Sequence, residues 1–181
     1  ASVFPTLAAS SPEAMFRAAG AISPGLIRVD ADETTYNLHI ILRFELELAL
    51  VRGDLAVADL PGAWNEKSQA ILGLTPPTDA LGCLQDVHWS TGAFGYFPTY
   101  SLGNIYAACL FEAAGRAIPD LPERMAAGDF APLLQWLDAN IHAKGRQLPP
   151  RALIAAATGQ QPTAAPLVRH LRAKAAAIYG V

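Results

Sequence analysis

The sequence predicts an all-α protein, an irregular array of helices, and three observations carry that reading. Capping residues and prolines stand at the starts of apolar segments, with glycines or prolines at their ends. The segment from about Asp32 to Val51 repeats its apolar residues with helical spacing. No segment sustains the period-2 alternation of a half-buried strand.

Each element follows from its own punctuation. Ser11-Pro12-Glu13 supplies an N-cap, a proline at the first helical position and an acid facing the positive end of the helix dipole, so a short helix is expected over 12–19. The stretch 20-GAISPGLIRVDADE-33 is an irregular connector, with room for one short strand within 20–31. A long helix then runs to about Val51 and stops at Gly53. Leu38, Ile41, Leu42, Leu46 and Ala49 form its apolar stripe. Ile40, Phe44 and Leu48 widen that stripe nearly all round, which predicts a central, buried helix. Pro61 opens a helix over 61–72 closed by Gly73, and 73-GLTPPTDALG-82 is rich in turn formers. Thr99 caps a helix over 100–117 that Pro119 ends. Asp120 starts a short one reaching Ala127, and Asp129 starts another reaching Gly145. Pro149-Pro150 begins a helix ended by Gly159, and Thr163 caps the last, which runs to Tyr179.

The bulk properties set limits on function. A chain of 181 residues with 52% hydrophobic and 16% charged residues is long and apolar enough to fold around a core, which excludes disorder, and it reads as a single helical region over 1–181. So apolar a chain buries its surface in its own core, against a partner or against a further part of itself. The longest apolar run, 38-LHIILRFELELALV-51, is broken by Arg43, Glu45 and Glu47, so no membrane span is expected. The N-terminal residues lack the basic and apolar regions of a signal peptide, and the missing initiator Met suggests a start within a longer chain. The net charge of −3 and scattered basic residues speak against nucleic acid as a partner. Cys83 and Cys109 fit no metal or redox spacing and read as reduced thiols of a cytoplasmic protein.

No complete catalytic apparatus is legible. The four histidines, His39, His88, His142 and His170, form no HExxH and no i, i+4 pair, and there is no GxSxG elbow, P-loop or GxGxxG. Two stretches still have the chemistry of a site. In 27-IRVDADETTYNLH-39, Arg28 sits in irregular chain just before a helix, where a guanidinium can receive a carboxylate bidentately. Asp32, Tyr36, His39 and Arg43 then follow at i, i+4, i+7 and i+11, one polar line on an apolar helix, and His39 and Arg43 read as a satisfied buried network. In 82-GCLQDVHWSTGAFGYFPTY-100, Asp86 and His88 lie two apart, close enough for the carboxylate to fix the imidazole's orientation. Gly92 and Gly95 let the chain bend, and Tyr96 and Tyr100 return near His88. Imidazole and phenol donors beside a carbonyl suit acyl-transfer chemistry. Trp89, Phe94 and Phe97 read as an aromatic core turn.

IRVDADETTY resembles an I-R-x-x-A-D-E motif and GCLQDVHW a G-x-x-Q-D-x-H-W motif, both of the carboxypeptidase Taq family of zinc metallocarboxypeptidases. The intervening LRFELE and the later FGYFPTYSLGNIYAA, PLLQWLDANIH and LIAAATG are similar to that family as well, so the resemblance covers nearly the whole chain. It implies a mostly helical peptidase, usually a homodimer, that removes residues from peptide C-termini. It implies zinc held by an HExxH and a downstream glutamate, none of which is in this sequence. The chain is therefore expected to be the C-terminal part of such an enzyme, inactive alone, with no zinc of its own. Its partners would be peptide C-termini, the missing N-terminal portion and a second copy. By resemblance, Arg28 would hold the substrate's C-terminal carboxylate and Asp32 would orient its neighbours. His88 would contact the substrate near the scissile bond, supported by Gln85 and Asp86, and either Tyr96 or Tyr100 would donate to the oxyanion. The alternatives are a non-catalytic helical module that binds peptides or oligomerises, and a hydrolase with a novel metal set drawn from His39, His88 and acids.

Overall fold

A computed structural model of the protein describes residues 10–181, and most of the N-terminal stretch expected not to be a signal peptide, 1–15, lies outside them. The described residues contain eight α-helices and no strand, so the all-α class holds. The chain divides into two compact units. The first comprises the described residues up to Ser101 together with Ala173–Val181, and the second is Leu102–Arg172.

The first unit is built on α1 (Pro12–Ala19), α2 (Glu33–Arg52) and α3 (Leu60–Leu72). Ser11 caps α1 by accepting from the Ala14 N–H at 3.1 Å. Asp32 caps α2, one carboxylate oxygen accepting from the N–H groups of Thr34 and Thr35. Gly53 ends α2 in the left-handed conformation at φ 79°, which a side chain would strain. Leu42 and Leu46 of α2 pack with Trp64 and Leu72 of α3 and with Cys83 to form the core. The helix is not buried all round as its composition predicts: Ile41 and Phe44 are each 44% exposed, and Val51 more so.

The stretch 20–31, where the sequence leaves room for a short strand, holds a single 3-10 turn, Arg28–Asp30. Pro24 and Gly25 interrupt the segment, and the Arg28 N–H goes to the Gln85 side chain instead of to a ladder. The end of α8 (Ala165–Tyr179) fastens this connector: the Ile22 N–H donates to the Tyr179 hydroxyl at 2.7 Å, and Arg17 donates to the Ile178 carbonyl at 3.1 Å. Short 3-10 turns at Val57–Asp59 and Asp79–Leu81, unmarked in the sequence, complete the connections. The first turn of α4 (Pro98–Ala117) closes the unit, its Ser101 hydroxyl donating to Asn37 of α2.

The second unit holds the rest of α4 with α5 (Leu121–Ala126), α6 (Ala131–Asn140), α7 (Pro150–Thr158) and the start of α8. Ala113, Ala114, Leu121 and Ile154 are its buried apolar positions, and the buried Cys109 thiol donates to the Thr163 carbonyl. α6 stops at Asn140, short of Gly145, and a 3-10 turn at His142–Lys144 follows. Asp120 makes no capping bond, because its carboxylate pairs with Arg124 at 2.7 Å.

Candidate functional site

All the candidate residues fall within the first unit, and α2 sets their spacing. Residues three or four apart share one face of a helix, so Asp32, Tyr36, His39 and Arg43 form a row along α2. His39 is 1% exposed and Arg43 not at all. Two segments converge on this row: the 3-10 turn carrying Arg28 and the loop carrying Asp86 and His88.

Asp86 is the hub. One of its oxygens accepts from Arg28 Nε at 3.0 Å and Nη2 at 2.7 Å, and the other from Arg43 Nε at 2.6 Å. Burial alone would raise the Asp86 pKa, but hydrogen bonds from Arg28 and the charge and hydrogen bond of Arg43 outweigh it and hold the carboxyl below its ordinary value. Arg43, in the driest position, is pulled down to about 10 by desolvation, which the attraction of Asp86 only partly offsets. Arg28 moves the other way: desolvation opposes its charge, but hydrogen bonding and attraction to Asp86 raise it. Two guanidiniums thus share one carboxylate, leaving that trio one positive charge in excess. His39, beside them, is held neutral to about pH 4 by desolvation and by repulsion from Arg43 and Arg28.

The remaining Arg28 bond goes from Nη1 to the Tyr36 hydroxyl at 3.1 Å, so its fork is largely engaged within the protein. Gln85 ties the connector to the loop: its oxygen accepts from the Arg28 N–H at 2.9 Å, and its amide nitrogen donates to the carbonyls of Leu26, Leu81 and Gly82. Asp32 has both oxygens occupied, the second by the Ser23 N–H and the Thr35 hydroxyl, so it fixes the connector to the start of α2.

The imidazole of His88 does not hydrogen bond to Asp86, as the i, i+2 spacing suggests. Nδ1 lies 3.9 Å from the carboxylate, whose oxygens are taken by the two arginines. His88 Nε2 bonds instead to the Tyr100 hydroxyl at 2.9 Å. The ring packs on buried Phe97 with centroids 4.4 Å apart, and Tyr96 lies 5.7 Å away. Tyr96 and Tyr100 meet edge to face, 5.5 Å apart, and the Arg28 guanidinium sits 5.1 Å from the Tyr100 ring centre. Tyr96 is 50% exposed, so its phenol reaches solvent from an otherwise packed cluster. Trp89 stacks on Phe94 and meets Phe97 edge to face, as an aromatic turn requires, although Phe94 remains 48% exposed.

Of the sequence-predicted residues, Arg28, Gln85, Asp86, His88, Tyr96 and Tyr100 form one connected cluster, whereas Asp32 stands apart from these contacts and joins the connector at Ser23 to the start of α2. The residue that sequence reasoning missed is Glu47. It is buried on α2 one turn beyond Arg43 and accepts from the Trp89 indole N–H at 2.8 Å and from the Gly95 N–H. Continuing the polar line by four more residues would have found it. Among the described residues no three His, Cys, Asp or Glu side chains form a group that could hold a metal ion. The described residues therefore offer no ligand set for a zinc ion. No helix among them is long and apolar enough to cross a membrane.

Known proteins of one family are similar to this chain in sequence and in fold. The family described as carboxypeptidase Taq (M32) metallopeptidase matches residues 1–175. The chain is 51% identical over 178 residues to thermostable carboxypeptidase 1 of Thermus thermophilus, covering 98% of this chain and 35% of that one. It is 44% identical over 163 residues to carboxypeptidase 1 of Bacillus subtilis, covering 90% and 32%. Among solved structures, the M32 carboxypeptidase of Deinococcus radiodurans superimposes with a TM-score of 0.96 at 46% identity, over 99% of this chain and 37% of that one. Trypanosoma cruzi metallocarboxypeptidase 1 gives 0.89 at 40%, over 92% and 35%. The chain spans about a third of the length of these relatives.

Proposed function

The chain belongs to the carboxypeptidase Taq (M32) metallopeptidase family, and from that membership we propose that it supplies the substrate-binding wall of a metallocarboxypeptidase. The observation that carries this reading is the meeting at Tyr100. One motif brings the Arg28 guanidinium to its ring, and the other brings His88 Nε2 to its hydroxyl. A cationic group and a pair of phenols are thereby held beside one another, which suits a peptide end with its carboxylate and its last carbonyl.

In this role the excess positive charge of the Arg28–Asp86–Arg43 trio attracts the substrate's C-terminal carboxylate, and Arg28 makes the charge-assisted contact by giving up its bond to the Tyr36 hydroxyl while keeping those to Asp86. That contact favours peptides with a free carboxyl end. His88 orients Tyr100: when Nε2–H donates to the phenolic oxygen, the Tyr100 proton is turned toward the substrate, where it can stabilise charge developing on the carbonyl oxygen. Tyr96, half exposed on the same cluster, is the second candidate donor. Asp32, Gln85 and Asp86 hold these groups in register. Metal ligands and the general base belong, on this reading, to parts of the peptidase that this chain does not span. That remainder, and a second copy of the chain, are the proposed protein partners, supported by the exposed Ile41, Phe44 and Val51 of α2.

Titrating the chain with a short peptide bearing a free C-terminus and with its C-terminal amide tests the proposal. Tighter binding of the free acid, lost in Arg28→Ala, supports it. Equal affinity for acid and amide removes the carboxylate role from Arg28.

A further inference from the structure

Glu47 has no place in either motif, yet it is the one acidic residue that is buried among the described residues. A buried carboxylate is costly unless hydrogen bonded, and a Leu or Met would fill the same space without that cost. Its two oxygens are used separately: Oε2 accepts from the Trp89 indole and Oε1 from the backbone N–H of Gly95. These two donors bracket the aromatic turn. Gly95 adopts φ 80°, which a side chain would strain, and it immediately precedes Tyr96. The direction in which the chain enters Tyr96 is therefore set where Glu47 grips Gly95.

The other end of the loop is held from the same helix. Arg43, one turn earlier on α2, binds Asp86. Trp89, fixed by Glu47, braces the turn by stacking on Phe94 and meeting Phe97 and Trp64 edge to face. Three points of the loop, at Asp86, Trp89 and Gly95, are thus tied to two residues of α2, and Tyr96 is the exposed group that emerges. The geometry points to Glu47 as a positioning residue that holds the aromatic loop to α2 so that Tyr96 is presented beside His88 and Tyr100. The use of Tyr96 on substrate rests on the function proposed above; its positioning by Glu47 does not.

The test is nuclear magnetic resonance on the intact chain. Glu47→Gln keeps the side-chain volume but turns an N–H group toward one of the two donors. The Gly95 amide and Trp89 indole protons should then exchange at least about tenfold faster, as expected for loss of a charge-assisted bond. The ring resonances of Tyr96 and His88 should move, while the amides of α7 stay in place. Glu45→Gln, on the exposed ion pair with Lys67, should change none of these. Trp89→Phe removes one donor from the opposite side and should displace Gly95 and Tyr96 in the same way, so the test does not depend on one variant folding. Unchanged Gly95 exchange and unmoved Tyr96 resonances in both variants would overturn the inference. Affinity for a free-acid peptide should fall in Glu47→Gln and in Tyr96→Phe alike. If the resonances move but neither substitution alters affinity, the positioning stands and the use of Tyr96 on substrate fails.

Discussion

Replacing His39 by Gln should flatten the acid side of the stability curve. His39 lies beside Arg43, Arg28, Asp86 and Asp32, and its imidazole is held neutral to about pH 4 against an ordinary value of 6.5. Between those values the unfolded chain binds a proton that the folded chain refuses, so falling pH favours unfolding. The effect is absent above about pH 7 and complete below about pH 4, and the difference between 6.5 and about 4 amounts to roughly 3 kcal/mol. Asp86 acts in a separate window. Its depressed pKa contributes stability above the ordinary carboxyl value, and that stability is lost only at lower pH, as the folded carboxylate is protonated. Urea unfolding at several pH values from 4 to 7.5, followed by tryptophan fluorescence in a Trp136→Phe background, reports on Trp64 and Trp89 of the first unit. The wild type should lose about 1.4 kcal/mol per pH unit at the steepest part of this range beyond any loss in His39→Gln. Equal slopes in the two proteins would refute the assignment.

Two further substitutions address the same cluster. Asp86→Asn leaves Arg28 and Arg43 buried against a neutral amide and should cost about 3–5 kcal/mol of stability, read from the shift in urea midpoint, whereas the exposed Asp120→Asn should cost under about 1 kcal/mol. Gly95→Ala strains a φ of 80° at a position with open space around its Cβ, so it should cost about 1 kcal/mol by backbone strain alone and disturb the Glu47 contact.

Much of the fold was legible because its helix ends carry local signals. Ser11, Asp32, Gly53 and Gly73 act where they stand in sequence, through caps and left-handed glycines. The end of α6 was not legible, because Gly145 terminates a 3-10 turn beyond the true stop at Asn140. In the site, the row from Asp32 to Arg43 follows from helical spacing, and its burial follows from the apolar residues around it. What spacing could not give is partner choice. Asp86 is two residues from His88, yet it serves two arginines from distant segments. Glu47 reads in sequence as a charge interrupting an apolar run, and only the fold shows the indole and the amide it receives.

The most direct test of the central claim is C-terminal residue release from a peptide, measured with zinc present. The 181-residue chain would be assayed alone and after mixing with the part of the Thermus thermophilus relative that it does not span. The chain alone should release nothing, the mixture should release C-terminal residues, and that release should be lost when the chain carries Arg28→Ala or His88→Ala. Release by the chain alone, or a restored activity indifferent to both substitutions, would contradict the claim.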